Sequence, residues 1–212
     1  MNIDIEQLCL ELIDKCIINN NYMIGNLLQN KLLKEQITPS CNQTKIWRRN
    51  QPWYENGKKN ECEKYQRNLI EKITKRPCLK CNDRINYEKN SIENISRPMH
   101  RDDAFDWTED FDGKQTFSYT LYYNLKMVCD AGGAQTRTLR EVSHFINAQL
   151  KYNLLHIDNP KYFVNILDGD ESYKLYSKYN YIIAKDKYKF VKNFIYIGDL
   201  FGFIDWFYTI NV

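Results

Sequence analysis

Apolar residues follow two different periods along this chain. Up to about residue 40 they recur every three or four positions, which predicts helices over 4–18 and 22–37. From about residue 102, short runs rich in Tyr, Phe, Ile and Val alternate with longer amphipathic segments, which predicts alternating strands and helices. The pattern therefore predicts an α/β protein, with a mixed β-sheet flanked by helices.

The second half is predicted to run in the order β-β-α-β-α-β-α. Strands over 104–112 and 116–128, joined by a Gly-Lys-Gln turn, form a hairpin. Gly132 and Gly133 then separate the second strand from an amphipathic helix over 134–154. The remaining predicted elements are a strand over 161–167, a helix over 171–185, a strand over 193–197 and a short helix over 198–207.

Residues 41–101 follow neither period, apart from a predicted helix over roughly 60–74. The segment KIWRRNQPWYENGKK combines turn-forming, basic and aromatic residues. We therefore predict three parts: an N-terminal helical segment over 1–40, an irregular basic and aromatic insert with few core residues over 41–101, and a core over 102–212.

Composition and charge exclude some classes of protein. The net charge of +3 over 212 residues gives no global basic field. The acidic, amphipathic N-terminus does not resemble a signal peptide, and no run of 18 apolar residues predicts a membrane span. Seven cysteines, an odd number, argue against a disulfide framework. We expect no membrane and a reducing, cytoplasmic compartment.

The predicted hairpin brings acids and a lysine together. Glu109, Asp110 and Asp112 lie on its first strand, and Asn124 and Lys126 lie on its second. Residues two apart point to the same face of a strand. Asp110 and Asp112 are therefore expected to share a face of the first strand, and Asn124 and Lys126 a face of the second. Carboxylates bind Mg²⁺, which activates water for phosphodiester hydrolysis, and a nearby lysine offsets developing negative charge. The alternative is a solvated hairpin end with Lys126 extending from a sheet edge.

An Asp, followed by a strand that ends in an acid-x-Lys triplet and then by a helix, resembles the PD-(D/E)xK nuclease superfamily. That superfamily includes most type II restriction endonucleases. The resemblance covers about 104–200. FVNILDGDESY and FIYIGDL are similar to the closing strands of several restriction enzymes, notably a group that cuts GATC.

The resemblance implies a Mg²⁺-dependent, type II restriction-type endonuclease that cleaves double-stranded DNA at a short specific sequence. Asp112, with Asp110 or Glu109, would bind the metal, and Asn124 would complete the set of ligands. Lys126 would position the attacking water. Cleavage of both strands of a palindrome implies a two-fold homodimer.

Asn124 departs from the pattern, because the superfamily has Asp or Glu two residues before the lysine. Three readings stay open. The three acids of the first strand together supply enough charge; or Glu141, on the following helix, replaces the missing acid; or the protein only binds DNA. The alternatives to a restriction enzyme are therefore a catalytically inactive DNA-binding or interaction protein, and a repair, resolvase or homing nuclease on the same fold.

Two further segments are predicted to contact DNA. Helix N-termini attract phosphate, and Arg contacts phosphate or base edges. The alternatives are an ordinary strand-to-helix turn and a solvated loop. The predicted DNA-binding residues are Gln135, Thr136, Arg137 and Arg140 at the helix start, and Trp47, Arg48, Arg49 and Lys58 in the insert.

The insert also contains the pair Cys78-Leu-Lys-Cys81, with Cys62 upstream. Two cysteines at this spacing can form one side of a zinc site, so a structural Zn²⁺ is a second cofactor prediction. The alternative is that these are free thiols in a reducing cell.

Overall fold

A computed structural model describes residues 45, 48–49, 51–56, 58–94, 108–129 and 132–210. The helices predicted over 4–18 and 22–37 lie outside these residues. The α-helices with described bounds are α1 Glu61–Thr74, α2 Gly133–Leu155, α3 Asp170–Tyr173, α4 Tyr176–Ile183 and α5 Leu200–Thr209. The strands are β1 Asp83–Asn86, β2 Ser91–Asn94, β3 Thr108–Asp110, β4 Gly113–Thr116, β5 Thr120–Met127, β6 Tyr162–Asp168 and β7 Ile195–Gly198.

The described strands form two sheets, so the protein is mixed α/β. One sheet is antiparallel, with the order β2-β1-β3. The other has the order β4-β5-β6-β7; β4 and β5 are antiparallel, whereas β5, β6 and β7 are parallel. Helix α2 makes the crossover from β5 to β6, and α3 and α4 make the crossover from β6 to β7. The predicted alternation of strands and helices is confirmed from β4 onward.

Helices cover both faces of the four-stranded sheet. Alternation along β5 sends Leu121, Tyr123 and Leu125 towards α1 and α5, where they join the first core cluster. Tyr122 points to the opposite face and joins a second cluster with residues of α2 and α4. Asn124 and Lys126 lie two and four residues after Tyr122, so they are on the same face of the sheet as Tyr122, the face that α2 covers.

The predicted hairpin exists, but its first strand was assigned wrongly. Gly113–Thr116 pairs with β5, whereas the segment predicted as a Gly-Lys-Gln turn lies inside this strand. Thr108–Asp110 pairs instead with β1 in the other sheet. Phe111 and Asp112 therefore connect two sheets, and Asp110 and Asp112 do not share a face of one strand.

The expectation that 41–101 is irregular, with few core residues, also needs correction. The helix predicted over roughly 60–74 is confirmed as α1, but the segment also contains the strands β1 and β2. Ile70 and Ile73 of α1 are buried against the four-stranded sheet, and Ile85 of β1 is buried in the second cluster. The short strands could not be recognised from sequence, because β1 reads Asp-Arg-Ile-Asn, with one apolar residue.

The turn after β6 requires glycine. Gly169 has φ of +98°, and a Cβ there would lie 2.4 Å from the carbonyl oxygen of Val128. The close approach joins the ends of β5 and β6, since Val128 N–H donates to the Asp168 carbonyl. None of the described helices is both long and apolar enough to cross a membrane.

Candidate active site

Asp112 lies directly before β4, beside the last third of β5. Its backbone N–H donates to the Tyr123 carbonyl at 2.8 Å. Its Oδ2 accepts a hydrogen bond from the Leu125 N–H at 2.7 Å, where a backbone carbonyl of a neighbouring strand would otherwise be the acceptor. This bond fixes the carboxylate against β5 in one orientation.

Lys126 completes an ion pair with the same carboxylate oxygen. Its Nζ donates to Asp112 Oδ2 at 2.9 Å, and the two side chains are only 22% and 14% exposed. Burial of Lys126 opposes its charge, but Asp112, Glu109 and Glu63 outweigh that effect and raise the pKa of the ammonium group. The lysine is therefore protonated at neutral pH and acts as a donor and a positive charge.

Arg67 of α1 approaches the same corner from the other side. Its guanidinium Nη1 donates to the Asp112 carbonyl at 2.7 Å, and the residue is 8% exposed. The approach depends on Gly113, because a Cβ there would lie 3.0 Å from Cys78 Sγ and 3.4 Å from Arg67 Cδ. The sequence Asp-Gly thus lets a helix side chain reach the backbone of the acidic residue.

Two further carboxylates surround this ion pair. Burial raises the pKa of Glu63 on α1; neighbouring Asp112 raises it further, and Lys126 lowers it. Burial likewise raises the pKa of Glu109 at the end of β3; Lys126 lowers it, and Asp112 raises it. The charges of Glu63, Glu109 and Asp112 thus all interact with that of Lys126.

Asn124 is held away from this carboxylate group by its own bonds. It is 1% exposed, and its Nδ2 donates to Asn165 Oδ1 at 2.9 Å. Gln149 of α2 also donates to Asn165 Oδ1, at 3.1 Å, so three amides form a chain between β5, β6 and α2. Within the described part of the chain, the Asn124 Oδ1 is buried and accepts no hydrogen bond.

Asp110 and Glu141 differ from their predicted roles. Asp110 pairs with the buried Arg84 at 2.7 Å, within the antiparallel sheet. Glu141 pairs with Arg137 at 2.9 Å on the exposed side of α2, although it is close enough to raise the pKa of Glu109. Neither carboxylate makes a hydrogen bond to Lys126, because each has a cationic partner on its own element or sheet.

Glu63, Gln66 and Arg67 of α1 were missed from the sequence. Gln66 alone carried a signal, because it occupies an apolar position of the helix, in line with Ile70 and Ile73. It is fully buried, and its Nε2 donates to the Lys126 carbonyl at 3.1 Å and to Asp168 Oδ2 at 2.7 Å. Gln66 thereby ties α1 to the end of β5.

The donor atoms suit a hard divalent cation. Carboxylate oxygens are ligands that Mg²⁺ takes. Within the described residues, no three His, Cys, Asp or Glu side chains lie close enough to form a metal-binding group. This separation is compatible with Mg²⁺, because Mg²⁺ is commonly held by one or two carboxylates together with substrate phosphates.

The predicted zinc ligands do not form a group of three. Cys62, Cys78 and Cys81 are all described, and no cluster of three potential ligands includes them. Burial raises the pKa of Cys62 to about 11 and that of Cys78 to about 12, which favours the protonated thiols. Zinc binds thiolates, and a structural zinc at these residues stays a prediction.

The structure places some of the residues that are predicted to contact DNA, and the contacts themselves stay predictions. Helix α2 begins at Gly133, as expected after the glycine pair, with Arg137 and Arg140 exposed near its start. Arg48 is half-buried, with its guanidinium 4.9 Å from the ring centre of Tyr54. Arg49 and Lys58 are exposed, and Lys58 lines a cleft with Trp53 and Tyr65. Trp47 and the side chains of Gln135 and Thr136 lie outside the described residues.

Comparison with protein-family models, with curated proteins and with solved structures found no match to this chain. The likeness to PD-(D/E)xK nucleases therefore stays a prediction.

Proposed function

We propose that this protein is a Mg²⁺-dependent endonuclease that hydrolyses phosphodiester bonds of double-stranded DNA. The contact between Lys126 Nζ and Asp112 Oδ2, at 2.9 Å on neighbouring strands, is the observation that carries the proposal. Such a pair is expected where an acid must face a reacting phosphate beside a fixed positive charge. The helix α2, which follows β5 directly, adds two exposed arginines near the same edge of the sheet.

The roles follow from charge and burial. Asp112, with Glu109 or Glu63, would hold the cation, together with oxygens of the substrate phosphate. A bound Mg²⁺ would polarise that phosphate and lower the pKa of a bound water. Lys126, protonated at neutral pH, would donate to the phosphate or to the attacking water and would stabilise the charge that develops there. It would not act as a proton acceptor.

The finer assignment is a type II restriction enzyme that cuts both strands at a short specific sequence as a homodimer. It is supported by the resemblance stated from the sequence, by the order β4-β5-α2-β6-β7, and by the Asp-Gly turn that ends β6. A repair, resolvase or homing nuclease would share these features, and substrate choice separates the classes.

The test is cleavage of plasmid and of linear DNA by the purified protein, with Mg²⁺ or with EDTA. We expect discrete fragments that depend on Mg²⁺. Lys126→Met should reduce the cleavage rate by about 10²–10³-fold, since it removes one preorganised charge, and should leave DNA binding within a few fold. Lys114→Met is the matched control: Lys114 also pairs with a carboxylate at 2.7 Å, but with Asp83 in the neighbouring sheet.

Wild-type rates in Lys126→Met would remove Lys126 from the site. Preferential cleavage of branched or mismatched DNA would favour a repair or resolvase enzyme over restriction. Cleavage that requires no specific sequence would contradict the restriction assignment.

A catalytically inactive DNA-binding protein is the second candidate, because Asn124 is engaged in a buried amide chain and carries no charge. Asn124→Asp decides between the two. In an active enzyme that relies on Glu63 and Glu109, the change should alter the rate only modestly. If the protein only binds DNA, the wild type should leave the plasmid intact and still bind DNA. Asn124→Asp is then the variant expected to gain cleavage.

A further inference from the structure

A second basic surface lies around α4 and the two 3-10 turns before β7. Every side chain that defines it is exposed to solvent. We call it the lysine patch, and it consists of Lys178, Tyr181, Lys185, Lys187, Lys189, Phe190 and Lys192.

The lysine patch carries a local excess of positive charge. Residues 178–192 contain five lysines and one acid, Asp186, for a segment charge of +4. The whole chain has a charge of +3, so the other residues together carry −1. Among the residues that the structure describes, none of the five ammonium groups forms an ion pair. The patch is therefore one of two strongly basic segments, since residues 45–59 also carry a charge of +4.

Two large aromatic rings remain exposed within it. Tyr181 is 70% exposed and Phe190 is 65% exposed. Lys185 Nζ lies 5.6 Å from the ring centre of Tyr181, and Lys189 Nζ lies 4.9 Å from that of Phe190. These cation–π contacts hold the lysines over the rings and present their charges outward.

The part of the patch that directly precedes β7 lies at the opposite end of the parallel strands from the candidate active site, whereas α4 begins near the end of β6, where the Tyr176 hydroxyl donates to the Leu167 carbonyl. Lys126 is level with Leu167 near the end of β6, whereas Ile195 is level with Phe163 near its start. Four residues along a strand correspond to about 13 Å, and Lys192 precedes Ile195 by three more residues. A ligand on the patch is thus separate from one at Asp112.

We propose that the lysine patch is a second, sequence-independent contact for the DNA backbone. The inference rests on the proposed function and adds a holding surface to it. Lysines are compact charges suited to phosphates, and backbone contacts bind without reading bases. Such a surface binds DNA that flanks the cleavage site, or a second segment of the same molecule.

An anionic membrane would be a different partner for lysines and aromatics, but α4 lacks the surface for it. Membrane-surface helices bury a continuous apolar face in the lipid. The apolar face of α4 is already used inside the protein, where Tyr179 is fully buried and Ile182 is 7% exposed. Only the exposed rings of Tyr181 and Phe190 remain, and a lysine ammonium group lies beside each of them.

The experiment measures the salt dependence of DNA affinity by fluorescence anisotropy, in EDTA so that the duplex stays intact. The patch variant replaces four lysines by Gln: Lys185, Lys187, Lys189 and Lys192. The matched control replaces four exposed lysines elsewhere by Gln: Lys72, Lys75, Lys89 and Lys151.

The patch variant should bind at least about tenfold more weakly at low salt. Its slope of log affinity against log salt should be shallower by about 2–4, since each lost phosphate contact changes the slope by about 0.9. The control should change the slope by less than about one. Tyr181→Ala with Phe190→Ala should leave the slope unchanged, because no charge is lost.

Equal slopes for the patch variant and the control would overturn the inference while leaving the proposed function intact. Absence of DNA binding by the wild type would overturn both. Binding of the wild type to phosphatidylserine vesicles, lost in the patch variant while the DNA slopes are unchanged, would assign the patch to a lipid surface instead.

Discussion

Replacing Asp168 with Asn should make the protein more stable at pH 8 and leave its stability nearly unchanged at pH 5. Asp168 ends β6 and is completely buried. Its Oδ2 accepts from Gln66 Nε2 at 2.7 Å, and its Oδ1 accepts from the Leu200 N–H at 3.3 Å. Burial nevertheless raises the pKa of this carboxyl from 3.8 to about 7, with the two hydrogen bonds lowering it in part.

The sign follows from comparing the folded and unfolded chains. The folded protein holds the Asp168 proton more tightly, so the stability linked to this group is fully present below pH 3.8 and is lost as pH rises to about 7. A shift of about three units corresponds to about 4 kcal/mol in total. About two of these three pH units lie between pH 5 and the folded pKa of about 7. The free energy of unfolding of the wild type should therefore fall by about 3 kcal/mol between pH 5 and pH 8 because of this group alone.

Asn cannot titrate, but it disturbs one bond. Its Oδ1 can still accept from the Leu200 N–H, whereas its Nδ2 would face the Gln66 donor. Gln66 must then turn its unpartnered Oε1 towards position 168 and lose the Lys126 carbonyl, at a cost of about 1 kcal/mol. We therefore expect Asp168→Asn to be about 3 kcal/mol more stable than wild type at pH 8 and close to equal at pH 5.

Urea unfolding followed by tryptophan fluorescence measures these free energies at several pH values. Asp186→Asn, at an exposed carboxylate, controls for the change in net charge. The reasoning fails if the difference between wild type and Asp168→Asn is the same at pH 5 and pH 8. An unchanged slope against urea in each variant would show that the comparison concerns stability rather than a different unfolded state.

Three further predictions concern single contacts and are measured by urea unfolding. Gly169→Ala should destabilise the protein by about 3 kcal/mol or more, because the residue has φ of +98° and a Cβ there would clash with the Val128 carbonyl. Gly133→Ala is the control: a Cβ at Gly133 meets open space, so the change in stability should be less than about 1 kcal/mol. Arg67→Met should lower the free energy of unfolding by about 1–3 kcal/mol, because it removes the buried donor to the Asp112 carbonyl. Arg76→Met removes an exposed donor to the Thr116 carbonyl and should lower it by less. Equal losses in the two variants would contradict the role given to burial. Tyr123→Phe should cost about 1–2 kcal/mol, because it leaves the buried Gln115 Oε1 without its 2.6 Å donor; no loss would show that another group replaces the hydroxyl.

Local pattern was most informative where an element carries a strong apolar period. The helix over 134–154, the strand over 161–167 and the alternation of strands and helices after 113 are confirmed within one or two residues. In these cases neighbours in the sequence are neighbours in space. Asp112 does contact Lys126, but it lies just before β4 and not on the predicted first strand of the hairpin.

The errors have one physical cause, because strand pairing depends on partners that are distant in the sequence. In the sequence, Thr108–Asp110 and Gly113–Thr116 look like one strand followed by a turn. In the structure, Thr108–Asp110 pairs with β1 and Gly113–Thr116 pairs with β5, so the two segments belong to different sheets. Asp110 consequently pairs with Arg84, and Asp112 with Lys126.

The sequence by itself determined the α/β class of the second half and the glycine break before α2. The tertiary structure alone decided that α1 supplies Glu63 and Arg67 to the same corner, and that Asn124 is bound into an amide chain. Periodicity reports which residues face a core, because burial follows the repeat of a helix or strand. It cannot report which charged side chains converge, because that depends on how separate elements pack.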